Sequence, residues 1–355
     1  MTAAPERGDV ANAPQTERPR LKTRDYLGYA IKLLVAALLL GVAIYSVDFA
    51  ASADILAKAE IVPLLAALVA ATVGTIVLPA FITHRSLHGE KISLSAMELV
   101  SINFSVRFYV IVLPRAASVA IRWFRYGKGK FSADSLALML FERVVQFAAM
   151  LFLCLVAVCI DFARLGEFAW PLVLLCLGGT LFGLAMLLPF MSAKAERLAA
   201  HLLVRFSPWM PARIVRAMTT LIASVGAYRH LPGNRALPII VMSLLATFLF
   251  VLSAWYCAHA IGLDISLVSL IWVRSLVFLL TLMPISVAGV GLRELGFVGL
   301  LGLIGVPAPA ALAFSLANFS LQLVQAAVGG IIEAARFLCR FSTTQAALIQ
   351  RSIAS

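Results

Sequence analysis

Apolar runs of membrane-crossing length alternate with short polar connections along most of the chain. The runs fall at about 27–47, 61–82, 136–160, 170–190, 237–261 and 309–335. Each approaches or exceeds the roughly 20 residues a helix needs to cross a hydrocarbon core about 30 Å thick. Two further apolar regions, 97–122 and 268–305, are interrupted. The first breaks near Leu113, Pro114 and Arg115, where proline removes a backbone donor. The second breaks at MPISVAGVGLRE, where Pro284, Gly289 and Gly291 stop the run. The pattern predicts an all-α polytopic membrane protein of about six to eight transmembrane helices with two broken or re-entrant segments. Both breaks read as Pro, small residues, then Arg: Pro114 to Arg122 and Pro284 to Arg293. Interrupted segments in corresponding places of two halves point to an inverted repeat and a transport site.

Basic residues in short loops set the orientation. The N-terminal stretch carries Arg18, Arg20, Lys22 and Arg24, and the connection 191–236 carries Lys194, Arg197, Arg205, Arg213, Arg216, Arg229 and Arg235. Both are expected on the cytoplasmic side, and the connections 48–60, 161–169 and 262–267, which are poor in basic residues, on the outer side. Both flanks of 97–122 are basic, with Arg85 and Lys91 before it and Arg125, Lys128 and Lys130 after it, so a re-entrant hairpin is the simplest solution. Residues 1–25 are expected to form a disordered cytoplasmic tail, being polar and poor in large apolar residues. Residues 26–337 are expected to form a single integral membrane domain, followed by a cytoplasmic C-terminal tail over 338–355. Amphipathic stretches in 191–236, such as Leu198, Leu202, Leu203 and Phe206, suit helices at headgroup level, a cytoplasmic elbow between two bundles.

Composition agrees with lipid as the main solvent: of 355 residues, 62% are hydrophobic and 13% charged, with a mean hydropathy of +0.98. The net charge of +12 lies between apolar runs rather than in a compact basic domain, which argues against nucleic acid as a partner. The five cysteines, Cys154, Cys159, Cys176, Cys257 and Cys339, lack ligand spacing, and the histidines show none. No metal, cofactor or disulfide is expected. No catalytic constellation is visible, and the lack of a Walker loop excludes self-contained pumping of the P-loop type.

Ionisable groups at membrane depth need a partner or a use. The candidates are Glu98, Arg107, Arg122, Glu142, Arg143, Arg274, Arg293, Glu294, Glu333 and Arg336, six arginines against four carboxylates. One expectation is architectural, with Glu142 and Glu294 each paired to an arginine of the other half. The other is functional: unmatched guanidiniums face a cavity and hold a lipid phosphate, with helix N-termini at the breaks adding N–H donors. Arg122 and Arg293 lead that list, followed by Arg143, and then by Arg107, Arg115 and Arg274, which lie near predicted boundaries and can snorkel. Glu142 and Glu294 are the candidate charge partners or proton carriers.

The stretch LPRAASVAIRWFRYGKGKFSADSLALMLFERVVQF, with Leu113, Pro114, Arg122, Glu142 and Arg143, resembles the first signature of the flippase-like membrane region of bacterial lysylphosphatidylglycerol synthases. LMPISVAGVGLRELGFVGLLGLIGVP, with Pro284, Gly289, Gly291, Arg293 and Glu294, resembles the second. Ala117 and Ser118 stand where that family usually shows Gly and an acidic residue. The resemblance implies translocation of an anionic phospholipid or a polyprenyl-phosphate-linked sugar between leaflets of a bacterial cytoplasmic (inner) membrane, both termini being cytoplasmic. The alternative is a non-transporting scaffold that partners a lipid-modifying glycosyl- or aminoacyltransferase. Aminoacyl transfer by this chain itself is not expected, since the soluble catalytic region of the longer members does not follow the membrane part.

Overall fold

The structure is a computed structural model that describes residues 49–86, 94–113, 115–206, 212–226, 233–282 and 291–353. The expected tail over 1–25, the run at 27–47, Pro114, Pro284 and Gly289 lie outside the described residues. Within them the chain is entirely helical, and five helices are long and apolar enough to cross a membrane. It is a polytopic α-helical membrane protein. Its outer faces carry exposed Leu, Val, Phe and Trp side chains, as lipid-facing helices do.

A short helix α1 (Phe49–Ala57) precedes the first long one, α2 (Ile61–Ser86). Next come α3 (Ala96–Val112) and α4 (Arg115–Tyr126), the two arms of the first broken segment. Leu113 between them is extended at φ −115°, ψ 157°, as the residue before a proline is expected to be. The long α5 (Ala133–Ile160) leads through a single helical turn (Phe162–Leu165) and a 3-10 turn (Gly166–Phe168) to α6 (Ala169–Met191). The region 191–236 contains α7 (Ala193–Phe206) and α8 (Ala212–Gly226), and α8 packs on α5. The second half follows with α9 (Gly233–Ala260), the broken pair α10 (Leu267–Leu282) and α11 (Leu292–Gly302), and α12 (Ala308–Ile353). The 338–355 region, read from sequence as a tail, continues α12 as helix to Ile353.

The packing is reciprocal. The first broken arm α3 lies against α12, the last helix of the second half, and α10 lies against α5 of the first half. The leading helices α2 and α9 also pack together. Small residues permit these close approaches, which matter because apolar area alone gives little drive between helices in lipid. A Cβ on Gly74 would sit 2.8 Å from the Ala246 carbonyl oxygen and 2.9 Å from the Phe250 amide nitrogen. A Cβ on Gly329 would overlap the Phe104 carbonyl oxygen.

At Gly74 the long helix α2 is irregular, with a π turn over Val73–Val77. This inserts one residue into the turn and frees carbonyls for side chains of α3. Asn103 donates to the Ile76 carbonyl at 3.1 Å, and Arg107 lies 3.5 Å from that of Thr75. At ~1.5 Å per residue, this turn falls roughly midway along α2.

Candidate functional site

Beside the π turn lies a small cavity of about 20 Å³, room for one water molecule. Thr75 of α2, Arg107 of α3, Phe250 of α9, Arg274 of α10, and Asn318 and Gln325 of α12 line it. Every one of these helices except α2 and α3 belongs to the second half, so the cavity sits on the seam between halves. Arg274 is only 6% exposed, near the middle of α10, and does not snorkel to an interface as its sequence position suggested. Its Nη1 donates to Asn318 Oδ1, and its guanidinium carbon lies 3.8 Å from the centre of the Phe250 ring. Its Nε is buried with no hydrogen-bond partner. An orphaned charged donor at membrane depth is costly, and it identifies a place where an acceptor is wanted.

The leading sequence candidates are placed differently. Arg122 donates through Nη2 to Glu142 Oε2 at 2.7 Å and to the Tyr126 hydroxyl at 2.7 Å. Glu142 is 2% exposed and Arg122 8%. The pairing is thus within the first half, not across halves as expected, because α4 and α5 are neighbours in space as well as in sequence. Arg293 pairs with the adjacent Glu294 and stacks 4.4 Å from the centre of the Phe319 ring. Glu294 also accepts the Gly291 amide at 2.7 Å. The N-terminus of α11 is therefore capped by its own carboxylate, contrary to the expectation that it stands open for an anion. Gly291, at φ +81°, supplies the left-handed turn that this cap needs.

The remaining embedded charges tie the broken segment down. Arg125 grips Glu333 through two bonds of 2.7 and 2.5 Å, Tyr109 donates to it at 2.8 Å, and Arg336 lies 3.2 Å away. These contacts fasten α3 and α4 to α12. Glu98 forms a capping box with Ser95 at the start of α3 and is a structural group.

The family model for the transmembrane region of lysylphosphatidylglycerol synthase matches residues 29–329. The chain belongs to this family. No curated protein matches the chain. The family region takes in both broken segments, the cavity and each arginine proposed from sequence to hold a headgroup.

Within this family member the charges form a connected set. Arg107 neighbours Arg122 electrostatically, Arg143 neighbours Arg107, Arg122 and Glu142, and Arg274 neighbours Arg107 and Arg293. Among the described residues, Arg122 and Arg293 are ion-paired in this set, while Arg107, Arg143 and Arg274 form no ion pair. Arg107 and Arg274 meet in the cavity, whereas Arg143 is exposed on α5. Sequence reasoning missed Asn318, Gln325 and Phe250. A signal for the first two was present: Asn318, Gln322 and Gln325 recur at helical spacing inside an apolar run and mark one face of α12.

Proposed function

We propose that this chain moves a phosphate-bearing lipid, an anionic phospholipid or a polyprenyl-phosphate-linked sugar, between leaflets of a bacterial cytoplasmic membrane. Arg107 and Arg274 hold the phosphate at mid-depth. The observation that carries this reading is the buried Arg274 guanidinium, which lacks a carboxylate and has an Nε without a partner. A phosphate oxygen supplies the missing acceptor, and the planar guanidinium suits it. Glu142 and Glu294 act as fixed counter-charges for Arg122 and Arg293. The reciprocal packing of α3 on α12 and α10 on α5 supports an inverted repeat with the site between its halves.

A cavity of about 20 Å³ is too small for a headgroup, so transfer requires the halves to part. That narrowness favours a second reading, a scaffold that holds a lipid-modifying glycosyl- or aminoacyltransferase. Leaflet exchange of dithionite-reducible fluorescent phosphatidylglycerol, in proteoliposomes holding the full chain, separates the two. Translocation predicts exchange above protein-free vesicles, lost in an Arg107→Gln, Arg274→Gln double variant that stays folded. No exchange across a panel of anionic headgroups would favour the scaffold.

A further inference from the structure

A second hollow lies next to the arginine cavity and differs from it in chemistry. It is a groove of about 320 Å³, open to the side, between α2, α3 and α12, lined by Leu68, Val69, Val73, Phe104, Val324 and Val328. Its only polar linings are Thr72 and Gln325. Gln325 lines both hollows, so one side chain stands between an apolar trough and the cationic cavity. Its Nε2 donates to Thr72 Oγ1 at 3.3 Å, linking α12 to α2. Val69 and Val324 are exposed, so the trough faces the bilayer. Thr72 abuts the π turn, where α2 is least regular.

We propose that this groove seats an acyl chain of the transported lipid, and that the Gln325–Thr72 hydrogen bond is a latch its headgroup passes to reach Arg107 and Arg274. The inference rests on the translocation reading and adds the route and the residues that guard it. The occupant follows from the two chemistries in contact: hydrocarbon fits the valine-rich trough, and an anion fits the unpaired guanidinium beyond it. A phospholipid carries both, and Gln325, which lines both hollows, marks where the two chemistries meet. Hydrocarbon can remain in the trough while the headgroup crosses, so the tail is never exposed to the charged cavity.

The test uses the full chain in vesicles of phosphatidylethanolamine and phosphatidylglycerol. A phosphatidylglycerol probe with a photoreactive diazirine in one acyl chain is cross-linked and the adducts are mapped by mass spectrometry. Adducts are expected to concentrate on Val73, Phe104, Val324 and Val328. Adducts spread evenly over the lipid-facing surfaces of α2, α6 and α12 would overturn the seat. In the exchange assay, Val324→Trp fills the trough and should slow transfer at least about tenfold, whereas Ile331→Trp, on a lipid-facing part of the same helix, should not. Equal rates for the two would also overturn it. Thr72→Val keeps the shape but removes the latch acceptor, and a lost neutral hydrogen bond corresponds to a roughly two- to tenfold faster exchange. An unchanged or slower rate would refute the latch. Concentrated adducts without any wild-type exchange would retire translocation and keep the seat, while exchange with evenly spread adducts would do the reverse.

Discussion

Arg122 and Arg274 are both buried arginines, yet their substitution should have opposite characters. Arg122→Met leaves Glu142, which is 2% exposed, without its cation, and leaves the Tyr126 hydroxyl without its donor. Breaking a buried pair by removing one partner costs about 3–5 kcal/mol. Arg274→Met removes a charge that has no carboxylate. Its losses are one bond to Asn318, worth about 1.5–3 kcal/mol, and the contact with Phe250, worth ~2 kcal/mol when desolvated. Against these stand relief of the orphaned Nε, about 1–3 kcal/mol, and of the intramembrane charge, about 2.5–3.5 kcal/mol. The losses, about 3.5–5 kcal/mol, overlap the relief, about 3.5–6.5 kcal/mol, so Arg274→Met should cost no more than about 1.5 kcal/mol. Unfolding by SDS titration in mixed micelles, followed by circular dichroism, reads both variants on one scale. Arg122→Met should be severely destabilised, while Arg274→Met should fold normally and lose leaflet exchange. Equal destabilisation of the two would refute the division into structural and ligand-facing arginines.

Two other outcomes are expected. Gly74→Val puts side-chain atoms against the backbone of α9, where the nearest atoms, at 2.8 and 2.9 Å from the Cβ position, cannot move aside. It should destabilise by about 1–3 kcal/mol in the same titration, with wild-type stability counting against the close approach of α2 and α9. In a cysteine-free background, Glu167→Cys lies between α5 and α6 and Lys130→Cys between α4 and α5, both at exposed positions. A membrane-impermeant maleimide added to intact cells should label the first, and the second only after permeabilisation. Labelling in the opposite order would invert the orientation drawn from basic loops.

The long helices were legible because a membrane imposes a single requirement, about 20 apolar residues in a row. The expected 136–160 and 170–190 became Ala133–Ile160 and Ala169–Met191. The break at Leu113 was legible too, since a proline dictates the conformation of its predecessor. The roles of the arginines were not. Pairing depends on which helices face each other, and sequence adjacency gave no sign that Arg122 would meet Glu142 through the α4–α5 turn. The π turn at Val73–Val77 was not legible either, because its sequence, VGTIV, continues the apolar run without a proline, and its contacts with α9 and α3 appear only in the fold.

The seam position of the cavity gives the charge arrangement its meaning. Arg107 stands on the first broken segment and Arg274 on the second. Each of these helices packs against the long helix of the opposite half. Were the halves to part, as translocation requires, the pairs Arg122–Glu142 and Arg293–Glu294 could stay closed because each lies within one half, whereas Arg125–Glu333 is the ion pair that crosses between them. An anion bridging Arg107 and Arg274 would screen their mutual repulsion, so it should favour whichever arrangement brings both within reach of it. Structural charge thus does two jobs: Arg122–Glu142 and Arg293–Glu294 brace the halves internally, and Arg125–Glu333 joins α4 to α12 across the seam.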